Sequence, residues 1–173
     1  KIEADRLRLE FKSIELDELI EDAINSSRQL MDEKQQTAEV EVPQDNQPVW
    51  GDPTRLSQIL VNLVSNANKY TPENGKIIIG VDISDNKWDP EGPAQVAHIW
   101  VKDDGIGIKK EDQKKIFQKF FRSDDEKAQE ERGTGLGLNI TKSLVEMQGG
   151  NIWFESEFRK GTTFHFTVPI AEA

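Results

Sequence analysis

The order in which helical and strand-like periodicities follow one another constrains this chain most. From Asp17 to about Gln36, Leu19, Ile20, Ala23, Ile24, Leu30 and Met31 recur at helical spacing. Asp52-Pro53 opens a second helix, with Asp as N-cap and Pro as first helical residue. That pattern runs to about Tyr70 and stops at the breakers Thr71-Pro72-Glu73-Asn74-Gly75. A third helix is predicted from about Leu138 to Met147, ending at Gly149-Gly150. Between and around these lie runs of period two. Leu9, Phe11 and Ile14 are predicted to face the core from a first strand, and AEVEVP (38–43) reads as a short second one. KIIIGVDIS (76–84) and QVAHIWVK (95–102) are β-rich runs joined by a turn-rich linker, and residues 151–158 and 162–169 form a closing hairpin that turns at Lys160-Gly161. A short helix is expected over Lys110–Phe117, and the polar Ser123–Glu131 is expected to be mobile. Strands and helices do not alternate as βαβ units. The predicted class is therefore α+β: a two-layer sandwich, a mixed sheet covered on one face by helices.

Composition narrows the partners. At 173 residues the chain suits one well-cored domain. Its 22 basic and 32 acidic residues give a net charge of −10, which argues against a general nucleic-acid surface. Cysteine is absent, which excludes disulfides and thiolate metal sites. No apolar run approaches the ~20 residues that cross a bilayer, so no direct membrane contact is expected. The sequence opens at Lys1 inside a charged, helical-looking segment and is expected to be a piece of a longer protein.

Four local constellations concern chemistry. On the second helix, Asn62, Asn66 and Lys69 cluster along one shoulder of the apolar stripe, where a half-buried side chain can reach a ligand. Paired asparagines also suit a solvated face, but an amide oxygen is a good hard ligand for Mg²⁺. Asp103-Asp104-Gly105-Ile106-Gly107-Ile108 follows a strand directly. A carboxylate there can accept a hydrogen bond while the glycines let backbone approach a flat ligand, and an ordinary turn fits equally. Phe117, Phe120 and Phe121 have core-like helical spacing and stand beside the phosphate-suited cations Lys119 and Arg122. Finally, Arg132-Gly133-Thr134-Gly135-Leu136-Gly137-Leu138 alternates glycines just before a helix. It is a flexible turn, a tight helix entry, or a loop whose bare N–H groups, aided by the helix dipole, wrap a phosphate chain. Neither a P-loop nor a dinucleotide fingerprint is present.

In this order NLVSNANKY, DDGIGI, IFQKFFR and GTGLGL, followed by GTTFHFTVP, resemble the boxes of the ATP-binding catalytic domain of sensor histidine kinases. That domain belongs to the GHKL superfamily, with its Bergerat-type ATP-binding fold. The resemblance runs from about Ile14 to Pro169. It implies residues 1–12 as the remnant of an upstream dimerisation helix and linker, and 13–173 as the ATP-binding domain. It implies ATP and Mg²⁺ as cofactors, with Asn66 the metal ligand supported by Asn62, Lys69 on phosphate and Tyr70 near the nucleotide. Asp103 would take the adenine amine, helped by Gly105, Gly107 and Ile108. Phe117, Phe120 and Phe121 would brace a mobile lid, with Arg122 and Lys119 reaching the phosphates. Arg132, Gly133, Thr134, Gly135, Leu136, Gly137 and Leu138 would wrap the triphosphate, and Thr163 would lie near adenine. Two residues depart from the family pattern: Asp104 where Asn is usual, and Arg132 where a small residue is common.

The superfamily's ATPases place a glutamate one turn before the metal-binding asparagine. Asn62 stands there and cannot act as a base, so the resemblance implies phosphoryl transfer rather than hydrolysis, with Asn66, Lys69 and Arg122 serving the chemistry. A GHKL-type ATPase or an anti-sigma-type serine kinase is the alternative. The histidines, His98 and His165, lie within predicted strands and are expected to be structural. The acceptor histidine would sit on an upstream dimerisation domain, and a response-regulator receiver domain would take the phosphoryl group onward. The piece itself is expected to be monomeric and cytoplasmic, with the parent protein open to membrane anchoring.

Overall fold

The computed structural model describes residues 9–43, 47–117 and 137–171. The elements are β1 (Lys12–Ile14), α1 (Leu16–Glu33), β2 (Thr37–Glu41), β3 (Val49–Gly51), α2 (Pro53–Tyr70), β4 (Lys76–Asp85), β5 (Gln95–Asp103), α3 (Gly137–Met147), β6 (Ile152–Glu157) and β7 (Gly161–Pro169). Five strands form one sheet in the order β2-β4-β5-β7-β6, in which β2 runs parallel to β4 and the other pairs are antiparallel. β1 and β3 make a separate antiparallel ribbon. The mixed sheet and its helical layer confirm the α+β sandwich.

The core lies between that sheet and the helices. Leu56, Ile59, Leu60, Leu63 and Val64 of α2 meet Ile77 and Ile79 of β4, Ile99 and Val101 of β5, and Phe164 and Phe166 of β7, all essentially inaccessible. Asp52 caps α2 as expected, its carboxylate accepting from Thr54 N–H (3.0 Å) and Arg55 N–H (3.1 Å).

Several sequence expectations shift. The short strand β3 is not among the predicted elements, because three residues flanked by Pro48 and Asp52 carry too little periodicity to register. Of the residues expected to face the core from the first strand, Ile14 does so, whereas Phe11 is exposed and leans on Trp50 (ring centroids 6.4 Å). α1 ends at Glu33 because Gln35 turns left-handed (φ 53°). Residues 110–117 form turns rather than a helix. Asp112 N–H reaches Lys109 O and Lys115 N–H reaches Asp112 O, both three-residue spans, while the Gln113 side chain bonds Ile108 O and Ser156 O. Ser123–Glu131 lies outside the described residues.

Candidate functional site

The carboxyl-terminal half of α2, the loop leaving β5 and the start of α3 converge at one end of the sheet. Asn62 and Asn66 are half-buried. The Asn62 amide donates to Thr141 Oγ of α3 (3.1 Å), which joins the two helices. Asn66 makes no side-chain hydrogen bond to any described residue, so its amide oxygen is open to a ligand. Lys69 and Tyr70 are half-buried on the last turn of the same helix.

Asp103 ends β5 on the helix-covered face, with Ile77 on one side and Thr162 on the other. Its side chain is buried and accepts the Gly105 N–H (2.9 Å). Burial pushes the carboxyl up to about 7, the Gly105 and Thr162 amides pull against this, and neighbouring Asp104 pushes it further up. Such an acid releases its proton readily once a donor faces it.

The loop beyond is pinned on both sides. Ile106 N–H donates to Tyr70 O (3.1 Å), and Ile108 N–H to Ser156 Oγ (2.8 Å). A Cβ on Gly105 would collide with the Tyr70 carbonyl, and Gly107 is left-handed (φ 70°) against the Glu157 backbone. These glycines are therefore required by close approach. Asp104 accepts the Lys76 N–H (2.9 Å) and so ties the loop to the start of β4. This departure from the family pattern thus has a local structural role.

Other predicted residues are placed less uniformly. Phe117 packs edge-on against Phe154 and Phe164, with Lys142 Nζ 5.6 Å from its ring centre, so it braces the core. Gly137 opens α3, and Leu138 is half-buried against the core. Thr163 faces the side of the sheet away from the helices, opposite Lys102 and Glu155. Its neighbour Thr162, which no sequence motif singles out, stands beside Asp103, its hydroxyl 2.8 Å from Ser156 Oγ. Only register, which a sequence does not display, separates the two threonines. Lys119, Phe120, Phe121, Arg122, Arg132, Gly133, Thr134, Gly135 and Leu136 lie outside the described residues.

His98 and His165 are remote from this end, on the open face of the sheet. Their nitrogens lie 2.8 Å apart, His165 Nε2 is 2.7 Å from Glu155 Oε1, and Trp88, Trp100 and Trp153 pack around them. Gly80 leaves room for the Trp100 indole. Both histidines fill structural positions, as expected.

Taken together, a helix-borne amide, a buried carboxylate at a strand end and glycines in tight contact gather at one end of the α+β sandwich. The sequence pattern of the family described as histidine kinase-, DNA gyrase B- and HSP90-like ATPase matches residues 51–172, and the chain belongs to that family. It is 41% identical over 121 residues to the sensor histidine kinase WalK of Bacillus subtilis (strain 168), covering 70% of this chain and 19% of that protein. It is 36% identical over 166 residues to the adaptive-response sensory kinase SasA of Thermosynechococcus vestitus, covering 96% of this chain and 41% of that one. The chain thus spans well under half the length of these relatives. Among solved structures, the catalytic domain of histidine kinase ThkA is similar over 94% of this chain and 99% of its own, at 31% identity and a TM-score of 0.75. Full-length ShkA in complex with AMPPNP is similar over 96% of this chain and 32% of its own, at 26% identity and a TM-score of 0.79.

Proposed function

We propose that this chain is the catalytic domain of a sensor histidine kinase, which binds Mg·ATP between α2, the loop after β5 and the start of α3. It delivers the γ-phosphoryl group to a histidine on a separate dimerisation domain, from which a response-regulator receiver domain is charged. Asp103 accepts the adenine amine, with Thr162 beside it. Asn66 supplies one oxygen to the metal, and Lys69 faces phosphate. A single amide from the protein leaves the remaining positions to phosphate and water, an arrangement suited to Mg²⁺, which gives up water reluctantly. Held there, Mg²⁺ would supply neutralisation of the charge that develops on the triphosphate. Asn62, whose amide donates to Thr141, cannot accept a proton from water, which favours transfer over hydrolysis.

The observation that carries the reading is a buried Asp103 at the end of β5 together with an Asn66 amide that bonds no other described residue. Calorimetry with a non-hydrolysable ATP analogue, with and without Mg²⁺, tests it. Asn66→Ala is expected to lose the metal-dependent gain in affinity, and an unchanged gain would sink the assignment. Labelled ATP, supplied with a dimerisation domain, should yield phosphohistidine on that domain. Steady phosphate release without transfer would instead favour an ATPase.

A further inference from the structure

An α-helix leaves its last four carbonyls without intrahelical partners. In α2 every one is occupied. Ala67 O accepts Thr71 N–H (3.0 Å), and Tyr70 O accepts Ile106 N–H (3.1 Å). Asn68 O accepts both Lys34 Nζ (3.0 Å) and Gln36 Nε2 (3.1 Å), and Lys69 O accepts Lys34 Nζ (3.1 Å). The same two side chains continue to Thr71 O, at 2.7 Å from Gln36 and 3.4 Å from Lys34. Asn68 answers with its own amide, donating to Gln36 Oε1 (2.7 Å). Gln36 and Asn68 are 6% and 3% exposed, so this exchange takes place out of water, where a lost partner is costly.

Lys34 and Gln36 reach this end because α1 finishes in a Schellman turn. Gln36 N–H returns to Met31 O (2.9 Å) and Gln35 N–H to Asp32 O (3.0 Å), with Gln35 left-handed. Beyond the turn, Asn74 N–H donates to Lys34 O (2.8 Å) and Thr37 N–H to Gly75 O (3.1 Å). The exit of α1 and the exit of α2 are therefore sewn together. The Lys34 ammonium also sits where the helix dipole favours a cation.

We infer that Lys34 and Gln36 are positioning residues for the metal-binding turn of α2. This rests on the site proposed above. Asn68 is two residues beyond Asn66, so the clamp grips the opposite side of the turn that presents Asn66 and Lys69 and leaves their side chains free. Fraying of that turn would displace the Asn66 oxygen. Asp103 is held separately, by the register of β4, β5 and β7. Loss of the clamp therefore acts on the metal and phosphate end more than on the adenine end.

Calorimetry on Lys34→Met, which keeps the alkyl stem and removes the donor, provides the test, using AMPPNP with Mg²⁺ and with chelator. The metal-dependent gain in affinity is expected to fall about tenfold, while metal-free affinity stays within about twofold. Lys34→Arg should restore most of the loss. Lys34→Gln, which retains one donor group, is expected to give a smaller loss of the same kind and replaces Lys34→Met if that variant does not fold. A variant that melts earlier yet keeps the full metal-dependent gain overturns the inference and leaves the site reading intact. A wild-type chain with no metal-dependent gain overturns both.

Discussion

A carboxylic acid whose proton is half lost near neutrality would make the proposed nucleotide binding at Asp103 sensitive to pH. Its folded pKa, about 7, is raised from 3.8, so this group's contribution to the stability of the free protein is fully present below pH 4 and is lost as pH rises through 7. An adenine amine needs the ionised form as acceptor, and binding therefore drives the proton off. Nucleotide affinity should weaken on going from pH 8 to pH 6, by up to about tenfold per unit below the pKa. Asp103→Asn should lose that slope and bind less tightly, while stabilising the free protein at pH 8 by an amount on the order of a few kcal/mol. Equal slopes in calorimetry for the two proteins would reject the assignment. Gln35 offers a second residue-scale outcome. As a non-glycine residue at a left-handed helix terminus it stores about 1 kcal/mol, which Gln35→Gly should release as a higher denaturant midpoint at unchanged slope. At this scale the sequence is read unevenly. Asp103 and the close-packed Gly105 and Gly107 announce themselves by following a strand. Asn68 does not, although it continues the four-residue row Leu56, Leu60, Val64, because an asparagine inside a stripe is informative only once its partner Gln36 is known.

Elements were legible where periodicity was long. α2 and the strands β4 and β5 were found close to their ends, whereas β3 and the turns at 110–117 depended on tertiary hydrogen bonds. The open face of β5, β7 and β6 was hidden for the same reason. There Trp100, His165 and Trp153 form one cross-strand row, and the β4–β5 linker lays Trp88 over it. One neutral arrangement satisfies all the contacts of the histidines: His98 Nε2–H donates to His165 Nδ1, and His165 Nε2–H donates to Glu155. A first proton is tolerated on either ring, but a second sets two N–H groups against each other. Burial holds both imidazoles below their ordinary value. His165 and Lys87 add to this at His98, opposed by Asp82 and Glu155, and Glu155 alone opposes it at His165. The folded chain then binds fewer protons than the unfolded one below about pH 6.5, so this contribution is present above that value and is lost on acidification. Asp103 titrates with the opposite sign, so the comparison must be made within one background. The wild-type melting temperature should fall more steeply from pH 7 to pH 5 than that of a His98→Phe/His165→Phe double variant, with a change in tryptophan fluorescence over the same range. Parallel curves would mean that the pair carries no such linkage.

Across the whole molecule, charge and topology act together on the nucleotide. The net charge of −10 repels a triphosphate, and Mg²⁺ lessens that repulsion by cancelling two of its negative charges. On the proposed site, metal dependence would have a diffuse part, screened within about 10 Å at 0.1 M salt, and a local part at Asn66. Raising salt should narrow the difference in affinity between metal-bound and metal-free nucleotide in the wild type without closing it. In Asn66→Ala the same salt should close it almost completely, because only the diffuse part is left. Topology adds a second consequence. The ligand would bridge α2, the end of β5 and the start of β7, which are joined in the chain only through long connections, so its binding energy becomes stability of the whole sandwich. At a hundredfold excess over its dissociation constant the analogue should add about 2.7 kcal/mol, which for a chain of this length is a rise of roughly 5–11 °C in melting temperature. Adenosine, which reaches Asp103 but not Asn66, should give a smaller rise that is indifferent to Mg²⁺. A magnesium-sensitive shift with adenosine alone would place the metal away from the phosphate end and undo the division of labour between α2 and the sheet.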